Sequence, residues 1–189
     1  FKDLYAYGVV AEVKQVLRVS DELVKVLVEG KYRAKLLTLD SSGRFLLAST
    51  KAAALRGTKS VDSARVEALV RSVKEAFEEY LSLNPRLSKD VVYTIITNED
   101  AALLCDYIPA NLLLKYTDKQ ALLNEGTVSG RLEKLLEILR RETKILNIEK
   151  DIQSKVNEQM DKNQRDYYLR EQMRAISNEL DDFDDTREE

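Results

Sequence analysis

Two strings pair glycine with lysine, "EGKY" at residues 29–32 and "GTKS" at residues 57–60, and both invite a phosphate-binding reading. A loop of the form G-x-x-x-x-G-K-[ST] needs two glycines to bring backbone amides around the phosphates and a lysine directly after the second. No glycine stands five residues before Gly30, and Tyr32 takes the place of the magnesium-binding hydroxyl; in the other string Thr58 separates Gly57 from Lys59. Both strings therefore read as turns. The wider inventory is equally restrictive, with no histidine, no tryptophan and one cysteine. Ser-His-Asp and Cys-His nucleophile systems lack their members, as do metal sites built on His or Cys pairs. Carboxylate-only metal sites have nothing to support them. Glu78 with Glu79 and Asp181 with Asp182 are adjacent carboxylates, which on a helix point in different directions and read as solvated charge. Cys105, flanked by Leu103, Leu104 and Tyr107, reads as a small core residue rather than a reactive thiol.

The 189 residues are 44% hydrophobic and 33% charged, which suits a globular chain with one sizeable core or two small ones. A net charge of −3 and a pI near 5.3 argue against a partner held by phosphate neutralisation, so nucleic acid is not the expected partner. The first 60 residues are nonetheless mildly basic, with 11 Lys/Arg against 6 Asp/Glu. A lone cysteine, no apolar leader and no run of about 18 apolar residues together point to a cytoplasmic protein without a membrane partner. The chain opens at Phe1 in strand-like sequence and closes on "ELDDFDDTREE", seven acids in eleven residues; both ends read as cut from something longer. The acidic end reads as a solvated linker.

Elements follow from periodicity. Val9, Ala11 and Val13, then Val24, Val26 and Val28, alternate as strands do, and "RFLLAST" adds a third strand after the turn residues "DSSG". Three strands bury little alone, so either earlier strands or a neighbouring element should cover them. Val66, Leu69, Val70, Val73, Phe77, Tyr80 and Leu81 then recur at helical spacing, with Asp62 or Ser63 to cap and "NPR" to stop the helix near Asn84. "SKDVVYTIIT" is predicted as a helix capped by Ser88, despite β-branched content. "NEDAALLCDYI" is predicted to end before Pro109, and "TDKQALLNEG" to start with a Thr117–Gln120 capping box and stop at Gly126. The bundle core expected from these helices is Leu69, Val73, Phe77, Ile95, Leu103, Leu104, Leu112, Leu113 and Leu122.

Residues 129–180 contain no proline and no glycine after Gly130, while apolar residues from Leu132 to Leu180 recur at three and four. One helix of some 50 residues, about 75 Å long, is predicted; its leucine-rich start packs on the bundle and the rest projects. Near its end, "RDYYLREQMRAISNELDD" sets two tyrosines and a methionine in an otherwise polar strip. Such a stripe needs a partner, within the chain or beyond it, and methionine suits an adaptable interface.

The strings "DLYAYGVVAEV", "VLVEGKYRAKLL", "ALLCDYIPANLLLKYTDKQALLNE" and "QRDYYLREQMRAISNEL" resemble, in order and spacing, the amino-terminal region of the ATP-dependent Lon proteases. The last is the most specific and "TDKQALL" the next; together they cover nearly the whole chain. The resemblance implies an α+β fold: a partial, PUA-like β-barrel over residues 1–56 for substrate recognition, a helical bundle over 61–128, one long projecting helix over 129–180 linking to an AAA+ ATPase, and an acidic linker over 181–189. It also implies that the family's opening strands precede Phe1. Neither a Walker motif nor a Ser-Lys dyad is present, so this chain should bind and not cleave, with ATP, magnesium and serine protease activity belonging to the parent. Unfolded or misfolded proteins are the partners implied, with self-association toward a hexamer in the parent. Tyr5, Tyr7, Tyr32 and Phe45 are the candidate substrate contacts, each with barrel core as the plainer role. Tyr167, Tyr168, Met173 and Ile176 are candidate interface residues, or else pack within the helix or bundle. The alternative function is a structural spacer that oligomerises through its long helix. A third reading, RNA binding through the barrel, rests on fold analogy alone.

Overall fold

Val9, Ala11 and Val13, and then Val24, Val26 and Val28, lie in paired strands. The computed structural model describes residues 4–20, 23–56, 63–85 and 87–185, with side chains as far as residue 177. An antiparallel sheet is formed by β1 (Tyr7–Arg18), β2 (Val24–Asp40) and β3 (Leu47–Ala52), in that order across the sheet. The β1–β2 turn closes with the Val19 amide donating to the Leu23 carbonyl at 2.9 Å and the Leu23 amide donating to Ser20 Oγ at 3.2 Å. β2 is shared: residues 24–35 pair with β1, and residues 34–40 pair with β3. The register breaks three times, leaving Lys14 on β1 and Lys31 and Leu37 on β2 as the extra residues of bulges that sharpen the local twist. Among the described residues the sheet remains open, with β1 and β3 at its edges.

Among the described residues four shorter helices precede a long one. The predicted stripe forms α1 (Ser63–Leu83), which buries Val70, Val73, Phe77 and Tyr80 and gives way at Asn84, whose amide donates to the Tyr80 carbonyl at 3.1 Å. α2 (Lys89–Thr97) is a helix despite its β-branched residues, because Ser88 caps it and its spacing drives Ile95 fully inward. α3 (Ala101–Asn111) begins at Asp100, whose carboxylate accepts from the amides of Ala102 and Leu103.

α3 does not stop before Pro109. Proline lacks an amide hydrogen and crowds the carbonyl four residues back, here that of Cys105, which is costly in mid-helix. At the last turn that cost is smaller; Pro109 is buried, and Leu112 donates to the Ile108 carbonyl at 3.2 Å to close the helix. The expected capping box is also not formed. α4 (Tyr116–Asn124) starts one residue before Thr117, with Lys115 in extended geometry and no side-chain cap. Gln120 is free for another use, donating to the Tyr7 carbonyl at 2.8 Å and to Asn124 Oδ1 at 2.9 Å. Gly126 is not the stop either: Glu125 ends α4, and the Gly126 carbonyl accepts from the Arg56 amide at 2.9 Å.

α5 (Val128–Asp185) is one continuous helix of 58 residues, ending five residues beyond the predicted end. Val128, Leu132, Leu135, Ile138 and Leu139 form its buried stripe. The predicted core needs three corrections. Val70 is buried where Leu69 is only half-buried, a stripe rotated by one residue; Leu103 is exposed on α3; and Leu113, in the α3–α4 connection, is 84% exposed because Leu112 takes the inward place beside it.

The chain divides into two compact units, Phe1–Glu142 and Thr143–Glu189. The second is helical through Asp185, and within it Gln153 bonds Asn157 and Gln159 bonds Asn163 at helical spacing. The turn read at residues 57–60, the Asp62 cap, Asp21 and Glu22 of the first turn, Arg86 of "NPR" and the last four residues of the acidic end lie outside the described residues.

Cys105 is buried. Its surroundings push the thiol up to about 12, with desolvation outweighing the pull of Arg131. At pH 8 that leaves about a thousandfold less thiolate than an ordinary thiol has. The native thiol should therefore resist alkylation by iodoacetamide and react only as the chain unfolds in urea; rapid native labelling would contradict its burial.

Candidate functional site

The sheet meets the helices through a polar joint built on the last turn of α4. The carbonyls of a helix's last turn have no partner within the helix and carry its negative dipole end, so they favour cationic donors. Two arginines supply them. Arg33 of β2 donates from Nε to the Leu123 carbonyl at 2.6 Å and from one terminal nitrogen to the Asn124 carbonyl at 3.0 Å, while the other reaches the Ala53 carbonyl at 3.3 Å. Its guanidinium lies 4.2 Å from the centre of the Tyr7 ring, a cation–π contact. Arg131 of α5 donates from Nε to the Leu122 carbonyl at 2.9 Å and to Asp106 at 2.7 Å. A short parallel bridge between Arg56 and Thr127 completes the joint. Burial first, and then the charge of Arg131, lower the affinity of Arg33 for its proton.

Beyond this joint the sheet is apolar and bare. The register sets Val13 opposite Val28 and Val16 opposite Val26, with Val24 next along the same face, and these five valines are 47–59% exposed. Leu17, Leu27 and Tyr32 are also exposed. Set among them is a square of charges. Glu12 and Glu29 face each other across the strands, a like-charged pair that is unfavourable by itself. Lys14 and Lys31, the two bulge residues flanking that pair, each bridge both carboxylates at 2.8–3.0 Å. Lys14 first and Lys31 second hold both carboxyls below their usual range. A carboxylate lowered in this way contributes stability above its unfolded pKa and loses it as pH falls through the folded one. The hairpin should thus be steady near neutrality and loosen only below the ordinary carboxylate range. Lys14→Gln with Lys31→Gln should return both titrations toward 4.5, as followed by carboxyl-carbon NMR; unchanged titrations would refute the pairing.

Of the four aromatic candidates, the structure brings two together. Tyr5 and Tyr7 line one cleft of 310 Å³ with Val10 and Leu36. Tyr32 lines a second, of 470 Å³, with Arg33, Asp106 and Arg131. Phe45 lies in the β2–β3 loop, 69% exposed and in neither cleft. On α5, Tyr167, Tyr168, Met173 and Ile176 are all exposed, and Tyr168 Oη accepts from Gln172 at 3.0 Å. Sequence reasoning did not single out Arg33 or Arg131, and read Gln120 only as half of a capping box. One signal was available, since Arg131 interrupts the stripe of Val128, Leu132 and Leu135 where a leucine would otherwise be expected. Among the described residues there is no cluster of metal-ligating side chains, and no helix is long and apolar enough to cross a membrane.

A family model described as the ATP-dependent protease La (LON) substrate-binding domain matches residues 1–141. The chain belongs to the Lon substrate-binding domain family. It is 40% identical over 187 residues to the Lon protease of Escherichia coli (strain K12), covering 99% of this chain and 24% of that protein. To the Lon protease of Brucella melitensis biotype 1 it is 42% identical over 186 residues, covering 98% of this chain and 22% of that protein. It thus spans about a quarter of the length of the curated Lon relatives it matches. The fold is also that of a solved Lon structure, the N terminal domain of Mycobacterium avium complex Lon protease, with a TM-score of 0.59 at 22% identity over 74% of this chain and 73% of that one. The joint, the sheet and α1 to α4 all fall within the segment matched by the family.

Proposed function

We propose that this chain is the amino-terminal recognition region of an ATP-dependent Lon protease, holding unfolded or misfolded polypeptides for a cytoplasmic machine whose ATPase and serine protease parts lie elsewhere in the parent. The chain binds and does not cleave; ATP and magnesium act on those other parts. The observation that carries this reading is a sheet with bare valines on one face and, among the described residues, open edges, in a chain of a substrate-binding family. Exposed apolar patches of this kind mark interaction surfaces, and open strand edges accept extended chains through main-chain hydrogen bonds. In the parent the sheet forms part of a PUA-like barrel, and the chain joins a hexamer.

A reduced, alkylated protein that stays unfolded should bind this chain in preference to its folded, disulfide-bonded form in an anisotropy titration. Val26→Glu, which sets a charge in the middle of the valine face, should weaken that binding by about tenfold. Equal binding of both forms would remove the proposal.

The spacer reading draws on one observation, the run of exposed Ile145, Ile148, Ile152, Val156 and Met160 along α5. Deleting residues 150–189 should then lower the sedimentation coefficient from that of an assembly to that of a single chain. An unchanged assembly state counts against it.

A further inference from the structure

Resting on the recognition reading, the 470 Å³ cleft at the joint has a feature that packing does not require. Arg33 is part-buried and bonded to three carbonyls and a tyrosine face, yet among the described residues it has no carboxylate partner. Buried charges are ordinarily paired. The other charges in the wall are committed: Arg131 to Asp106, and Lys31 to Glu12 and Glu29. Asp106, which lines the cleft, and Glu125, which does not, act on Arg33 through space, without an ion pair to it. Among the described residues Arg33 is thus a cleft cation without an ion-pair partner, beside walls of Val9, Leu55 and Leu123.

We propose that this cleft receives the carboxyl-terminal end of an extended polypeptide, its free carboxylate turned to Arg33 and its last apolar side chain set against Val9, Leu55 and Leu123. A chain end fits better than an internal Asp or Glu for two reasons. The end carries charge on the main chain itself, so charge and side chain fall within the reach of one small cleft. A segment passing through must also satisfy amide donors on both sides of its acid, whereas the carbonyls of Ala53, Leu122, Leu123 and Asn124 already accept from the two arginines. Charge-assisted bonds between a guanidinium and a carboxylate are the strong kind.

The test uses the 189-residue chain and fluorescein-labelled Ala-Ala-Val-Ala-Leu-Val, as the free acid and as the terminal amide. The acid should bind about tenfold more tightly than the amide, and the difference should shrink with added salt. Ala54→Glu puts a competing carboxylate on an exposed lining position without touching the joint, and should abolish the preference; Ala54→Gln should keep it. Equal binding of acid and amide overturns the proposal, as does a preference for an internal Glu over Gln in the amidated peptide without one for the free end. If either occurs while the unfolded protein still binds, the cleft assignment alone fails. If the unfolded protein does not bind either, the recognition reading fails with it.

Discussion

Replacing Phe77 by alanine should cost about 3–5 kcal/mol, the range for emptying a fully buried phenylalanine site. Phe77 is wholly inaccessible on α1, one helical step from Val73 and one from Tyr80 on the same buried stripe. Because small domains hold only about 5–15 kcal/mol in total, the variant should shift the urea midpoint strongly and bring partial unfolding near 37 °C. A slope unchanged from the parent would show that the loss comes from stability and not from a different unfolded state. Leu113→Ala is the control, since its 84% exposure predicts a change within about 0.5 kcal/mol. If the two variants proved alike, the helices would not be packed as described.

The second large effect is an ordering. In the pair between Arg131 and Asp106 the arginine side chain is 4% exposed and the aspartate 68%. Breaking a buried pair is most damaging when it strands the buried charge. Asp106→Ala does so, leaving Arg131 with only the Leu122 carbonyl, and should cost about 2–3 kcal/mol after allowance for the exposure of the carboxylate. Arg131→Met removes the buried charge and returns Asp106 to water; the Leu122 carbonyl loses one donor but keeps the Glu125 amide at 3.3 Å, a loss of about 0.5–1.5 kcal/mol. The milder outcome is thus expected from deleting the more buried residue. Urea denaturation of both variants decides it, and the reverse ranking would mean that water already reaches the Arg131 guanidinium.

The elements were legible where their periodicity reports burial locally. Alternating valines marked β1 and β2, the Val73–Phe77–Tyr80 spacing marked α1, and the absence of helix breakers after Gly130 marked α5. Capping at Ser88 was legible for the same reason, being a contact over three residues. The errors arose where a distant partner outweighed local chemistry. Thr117 and Gln120 match a capping box, but Gln120 finds the Tyr7 carbonyl 113 residues away. Pro109 is a helix breaker by composition, yet its burial in the final turn of α3 makes the helix tolerable. The aromatic candidates were nominated by residue type, whereas the two arginines of the 470 Å³ cleft, Arg33 and Arg131, have acceptors at the end of α4. Arg33 lies 90 residues from its Leu123 acceptor, and no short-range pattern announces that distance.

That distance has a bearing on how the chain reaches its fold. The β1–β2 hairpin and the individual helices close over short stretches and can form as soon as each is made. The joint cannot: its bonds span 90 residues from Arg33 to Leu123 and 113 from Tyr7 to Gln120. During synthesis the hairpin must therefore wait, with Arg33 and the Tyr7 carbonyl lacking their α4 partners, until α4 has emerged. A nascent chain arrested with α4 still inside the ribosome should be cut readily by trypsin at Arg33, and one arrested with α4 outside should resist, because Arg33 then has its Leu123 and Asn124 acceptors.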